Sequence, residues 1–187
     1  MTFINKLILS RIILTLLVIA LLIFPFDTAG ISTTKLFINE SIVVDIKYLV
    51  AGVLFCFASI TILMFYKENK KKNLLVKDKV LNEAANKVLI NSILVTLSSQ
   101  GFIAPIIPII IIIRDTIMSS FKSNFTIKKN ILTIQNICMI LGIMLTLFYN
   151  LPFELLNLRI SEFLLITGAV LSIISAFDYY YQLKNKN

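Results

Sequence analysis

Few side chains in this sequence could do chemistry. It has ten Asp and Glu residues and no histidine, so imidazole acid–base catalysis and imidazole metal ligation are excluded. Carboxylates remain as the groups able to hold a divalent cation or act as a base. Glu68, Asp78, Glu83, Asp115 and Asp178 fall on one side of the apolar segments, and Asp27, Glu40, Asp45, Glu154 and Glu162 on the other. None sits within an apolar run, where an acid would mark a functional site. No pair has the spacing of a metal site, and Glu68 and Glu83 stand among lysines, as on a solvated charged surface. Cys56 and Cys138 lie apart in apolar runs, without metal-site clustering, and read as buried reduced thiols. With only five glycines the chain shows no phosphate-cradling loop, and no nucleophile elbow or zinc signature is present.

Arg114–Asp115 stands out more. The pair closes an apolar run, and Lys122 follows eight residues later, about two helical turns, so Arg114 and Lys122 share a face. Two cations at headgroup depth can hold a phosphate. The plainer reading is positive anchoring by side chains that snorkel to the membrane surface.

The elements that must position these groups are membrane spans. The chain is 58% hydrophobic and only 15% charged, far from the balance of a soluble domain. A spanning helix needs about 20 mostly apolar residues. Six such segments fall at about 7–26, 48–66, 88–101, 102–121, 131–149 and 163–181, giving an all-α, polytopic membrane protein with one membrane domain over residues 1–187. The first segment reads as an uncleaved helix rather than a signal peptide, because its apolar run is long and five more spans follow. The third is the least apolar. Between the first two, residues 27–47 read as an outer loop with at most a short interfacial element.

Basic residues set the orientation. With six spans, fifteen of the eighteen Lys and Arg residues fall on one side, leaving Lys35, Lys47 and Arg159 opposite. The positive-inside rule then puts both termini in the cytoplasm, with the plasma membrane as the expected location. Arg11 counts among the inner-edge cations, and no charge is expected deep in a span. Seven lysines lie in the segment from Lys67 to Lys87. Its Lys70, Lys71, Lys72, Lys77 and Lys79 suit anionic lipid headgroups, at about 1 kcal/mol per cation near the surface. Membrane lipids are the expected partners, not nucleic acid.

Several landmarks, in order, resemble the CDP-alcohol phosphatidyltransferases. Asn5 and Arg11 keep the spacing of that family's opening motif. Ala58-Ser59 matches an "AS" just ahead of its signature, and "NKVLI" (Asn86–Ile90) resembles its "DKLLV". Arg114-Asp115 with Lys122 resembles its "RE" followed by a basic residue, and "ITGAVLSIISAFDYYYQ" looks like its last helix. The resemblance covers nearly the whole chain and implies a six-helix membrane fold. It also implies transfer of phosphatidyl from CDP-diacylglycerol to an acceptor such as glycerol 3-phosphate, with release of CMP. Arg114, Lys122 and Lys70 would then be the phosphate-binding candidates.

The family's signature, DxxDGxxAR followed by GxxxDxxxD, supplies aspartates that hold Mg or Mn, and the last aspartate serves as the base. Here those aspartate positions fall on Ile62, Phe65, Asn82 and Asn86, the first glycine on Tyr66, the alanine on Asn69 and the arginine on Lys70. The second glycine falls on Asp78, with one residue deleted between the two halves. Neither Ile nor Phe can ligate a metal, and an asparagine amide cannot act as a base. The resemblance therefore implies a degenerate member with no metal site and no cofactor, able to pair with itself or with an intact synthase. Two alternatives stand beside it. One is an active transferase using Mg or Mn. The other is an unrelated membrane scaffold or transporter subunit, against which the absence of a buried charge or a broken-helix pair counts.

Overall fold

Along the first apolar segment, the residues turned inward are Ile4, Leu7, Ile8, Arg11, Thr15, Val18 and Leu22. This is one helical stripe, and Leu9, Ile13, Leu16 and Leu17 on the outer faces are exposed. In a bilayer such apolar outer faces are solvated by lipid tails, so the inward stripe, not the hydrophobicity, records the packing. The computed structural model describes residues 3–26, 35–39, 42–72, 75–120, 129–151 and 159–184. Among these the helices are α1 (Phe3–Ile23), α2 (Ile46–Lys72), α3 (Val76–Ser99), α4 (Ile106–Ser120), α5 (Lys129–Leu147) and α6 (Ile160–Lys184). Phe3–Ile23, Ile46–Asn69 and Ile160–Asp178 are each long and apolar enough to cross a membrane, and Thr133–Leu147 is a shorter apolar stretch. The chain is a helical membrane protein.

Two features depart from the sequence-based expectation. The segment between the first two apolar helices contains a hairpin of β1 (Lys35–Asn39) and β2 (Ile42–Asp45), antiparallel, with Lys35 opposite Asp45 and Leu36 opposite Val44. And α3 begins at Val76, twelve residues before its apolar stretch. Its polar first half is still good helix-forming sequence. The Leu75 carbonyl accepts the N–H groups of Asp78 (3.1 Å) and Lys79 (3.3 Å), and Asp78 lies in the first turn, where a negative charge suits the helix dipole. Asn82 and Asn86 are thereby one turn apart on a rigid helix.

The described chain forms two compact units. The first comprises residues 1–96 with Leu147–Tyr149, the second residues 97–146 with 150–187. In the first, α1 packs on α2, whose buried stripe runs Tyr48, Ala51, Phe55, Ala58, Ile62, Phe65. The Phe148 ring fits against Gly52, where an added Cβ would meet it at 3.0 Å. Tyr48 and Tyr149 meet edge to face, their centroids 5.6 Å apart.

In the second unit α4 packs on α6. Helices α5 and α6 approach closely at Gly142, where a Cβ would come 2.7 Å from Leu165, and at Gly168, where it would come 2.6 Å from Met139. Small residues at such contacts let helix backbones meet in a membrane. The end of α3 is closed by Gly101 at φ 80°, with the Phe102 N–H donating to the Leu97 carbonyl at 3.0 Å, a left-handed cap. Asn150, also left-handed at φ 56°, does double duty. Its N–H donates to the Leu145 carbonyl at 2.6 Å, and its Oδ1 accepts the Ser161 N–H at 3.1 Å, a free donor in the first turn of α6. Asn150→Ala should destabilise the protein by about 1–2 kcal/mol, read as a lower thermal midpoint in detergent. Asn150→Gly, which relieves the backbone but also loses the Ser161 bond, should fall between the two.

Candidate functional site

Arg11 is the centre of the first unit. It is fully buried, two turns into α1. Its Nε donates to Thr61 Oγ1 at 3.0 Å. Its Nη1 donates to Asn82 Oδ1 at 2.7 Å and to Asn86 Oδ1. Thr61 is able to accept because its own proton goes to the Ala58 carbonyl at 2.7 Å. One guanidinium thus ties α1, α2 and α3 together. Among the described residues its buried Nη2 has no hydrogen-bond partner, and all three acceptors are neutral.

The four positions that the resemblance assigns to aspartates all face this interior. Ile62, Phe65, Asn82 and Asn86 are each buried, so the proposed register sets them on the inward stripes of α2 and α3. Phe65 packs with Ile4, Ile8 and Ala85, and Ile12 lies against that cluster. Tyr66, by contrast, is largely exposed. These residues do not fit a divalent cation. Two offer no donor atom, and the two amide oxygens are already taken by Arg11, whereas Mg and Mn want several hard oxygen ligands. Of the acids nearby, Glu68, expected on a solvated surface, is instead half-buried with its Oε2 out of solvent. Glu83 is exposed and pairs with Lys87 at 3.4 Å, and among the described residues no three Asp, Glu, Cys or His side chains gather as a metal set.

Arg114 anchors the second unit. The sequence puts this cation at the membrane surface, but only 4% of it is exposed. Its Nε donates to Ser175 Oγ at 3.0 Å and its Nη1 to Asp115 Oδ1 at 2.8 Å, while the Ser175 hydroxyl donates to the Ser172 carbonyl at 2.8 Å. Among the described residues, the buried atoms Arg114 Nη2, Ser172 Oγ and Gln135 Oε1 have no hydrogen-bond partners. Lys122, its proposed companion, lies outside the described residues, as do the side chains of Lys70, Lys71 and Lys72. Lys77 and Lys79 are exposed in the first turns of α3.

The expectation that no charge is buried in a span fails at Arg11 and Arg114. The signal for Arg11 was present: a lone arginine within "LILSRIILTLL" is a functional-site hypothesis by default. Its position near the chain's start let it pass as one more inner-edge cation.

Fold and site together define a helical membrane protein whose first unit is organised around a buried arginine. Over nearly its whole length the chain is similar to the CDP-diacylglycerol–glycerol-3-phosphate 3-phosphatidyltransferase of Bacillus subtilis (strain 168), at 26% identity over 183 residues, covering 94% of this chain and 92% of that one. No family model matches the chain.

Lysine cannot reproduce the guanidinium fork that reaches three oxygens on two helices. Arg11→Lys should therefore cost on the order of 2–3 kcal/mol, measured as a drop in thermal midpoint. A midpoint equal to the parent's would show that the three-helix bond set carries little of the stability.

Proposed function

We propose that this chain is a phosphatidylglycerophosphate synthase-like integral membrane protein of phospholipid metabolism that has lost metal-dependent transfer. The observation that carries this reading is the donation of Arg11 Nη1 to both Asn82 and Asn86, with Ile62 and Phe65 at the other two aspartate positions. A phosphatidyltransferase site must present several anionic oxygens to a divalent cation, and here the inward oxygens are neutral and engaged. The reading places both termini in the cytoplasm of a plasma-membrane protein, in keeping with the lysine distribution. Lys77 and Lys79, with Lys70 to Lys72, contact anionic headgroups. Arg114, Lys122 and Lys70 are each phosphate-binding candidates, and the buried Nη2 of Arg114 supports that residue's role. The protein would act as a homodimer, or as a partner of an intact synthase.

The similarity to the Bacillus subtilis enzyme over nearly the full chain favours a second reading, active transfer from CDP-diacylglycerol to glycerol 3-phosphate with Mg or Mn. The two readings part in one assay. Purified protein given CDP-diacylglycerol, glycerol 3-phosphate and Mg²⁺ or Mn²⁺ should release no CMP above background. Metal-dependent CMP release that disappears in Asn82→Ala or Asn86→Ala would establish the active reading instead.

A further inference from the structure

The first unit carries an apolar patch where the sequence turns polar. Leu75 and Val76 lie between the lysine-rich end of α2 and the "KDK" that opens α3. They are nonetheless 74% and 77% exposed, more than any other large apolar side chain among the described residues. Phe3, the first residue of α1, is 52% exposed. The Arg11 bonds set the level of all three. Arg11 meets Thr61 on α2 and Asn82 and Asn86 on α3. Phe3 is eight residues from Arg11 along α1. Asn69, the last residue of the apolar span in α2, is eight from Thr61. Val76 is eight from the midpoint of the two asparagines along α3. Each distance is about 12 Å. The cluster of Ile4, Ile8 and Phe65 shows that the start of α1 and the end of α2 point the same way, and α3 starts only four residues after α2 ends. Phe3, Leu75 and Val76 therefore gather at one end of the unit, where α2 passes from apolar residues to lysines.

The charge around the patch is positive. Lys6, Lys67, Lys77 and Lys79 are exposed, whereas the nearby acids Glu68 and Asp78 are half-buried. No residue from Leu75 to Leu81 is buried, so packing does little to hold the first turns of α3, and helix without packing is marginal in water. Exposed apolar side chains set among uncompensated lysines suit the boundary of headgroups and acyl chains in an anionic membrane. We infer that this end of the first unit is an anchor for an anionic leaflet. Phe3, Leu75 and Val76 enter the acyl boundary, Lys6, Lys67, Lys77 and Lys79 meet the headgroup charge, and the contact holds the first turns of α3 as helix. The inference rests on the proposed headgroup contacts of Lys77 and Lys79 and adds the apolar wedge and its effect on α3. The partner is the charged surface of the bilayer, not one lipid in a pocket. Because α3 also carries Asn82 and Asn86, leaflet charge bears on how firmly that helix is held against Arg11.

The test places the purified full chain in nanodiscs of phosphatidylcholine alone, or of phosphatidylcholine mixed with phosphatidylglycerol or with phosphatidylserine, and reads amide hydrogen exchange. Residues 78–84 should exchange at least about tenfold more slowly in both anionic discs than in the neutral one, a change of 1.4 kcal/mol, and added salt should shrink the difference. Lys77→Gln with Lys79→Gln should remove most of it. Leu75→Gln with Val76→Thr nearly keeps helix propensity. It should speed exchange of residues 78–84 in every disc, while residues 88–96 stay as protected as in the parent. Equal exchange of the parent in neutral and anionic discs would overturn the inference. So would slowing by one anionic lipid and not the other, the mark of a lipid-specific site. Slow exchange confined to discs that hold two copies would overturn it too, since a second copy would then be the cover. Charge dependence that Leu75→Gln with Val76→Thr leaves untouched would overturn the anchor and leave the lysine–headgroup contacts standing. CMP release is not read in this test, so transferase activity would refute the proposed loss of transfer without touching this result.

Discussion

A guanidinium carried into the interior of a membrane protein must be met by oxygen atoms, and three helices of this chain are arranged to meet it. Arg11 on α1 reaches Thr61 on α2 and both Asn82 and Asn86 on α3. Each contact depends on a feature of its helix. Thr61 has its own proton committed to the turn above. The two asparagines are one turn apart because α3 starts well before its apolar stretch. The stripe that includes Ile62 and Phe65 turns apolar bulk into the same interior. Water and lipid cannot take over these hydrogen bonds in a packed interior, so their loss would be felt at full cost.

The same interior has a lining unlike that of a divalent-cation site. Aspartates at the four inward positions would place a cluster of anionic oxygens around a cation. Ile62 and Phe65 contribute packing instead, and the asparagines contribute two neutral acceptors that a single arginine satisfies. The positive charge of the site thus comes from a covalently held group. The second unit keeps its own buried arginine, Arg114, fixed by Ser175 and Asp115.

Much of this fold was legible in the sequence, because apolar runs of span length bounded by lysine-rich or polar segments leave little choice. The long apolar helices α1, α2 and α6 lie close to where the hydropathy put them. The start of α3 was not legible, since a helix does not stop where its apolar face stops, and residues 76–87 are polar but helix-compatible. The hairpin of β1 and β2 was not legible either, because strands of five and four residues leave too short a pattern. Of the site, the resemblance named Ile62, Phe65, Asn82 and Asn86 as motif positions, and only the fold shows that they are buried. The role of Arg11 did not. A charge near the end of an apolar run reads as an anchor until its side chain is seen turned into the bundle.

The proposed function requires that the charge at this site be an arginine held by neutral oxygens rather than a metal held by carboxylates. Titration of Mn²⁺ into the purified full chain, followed by the electron paramagnetic resonance of the free ion, measures it most directly. The account predicts that all of the added Mn²⁺ stays free, in the parent and in Asn82→Ala alike. Stoichiometric uptake of Mn²⁺ by the parent, abolished in Asn82→Ala, would contradict it.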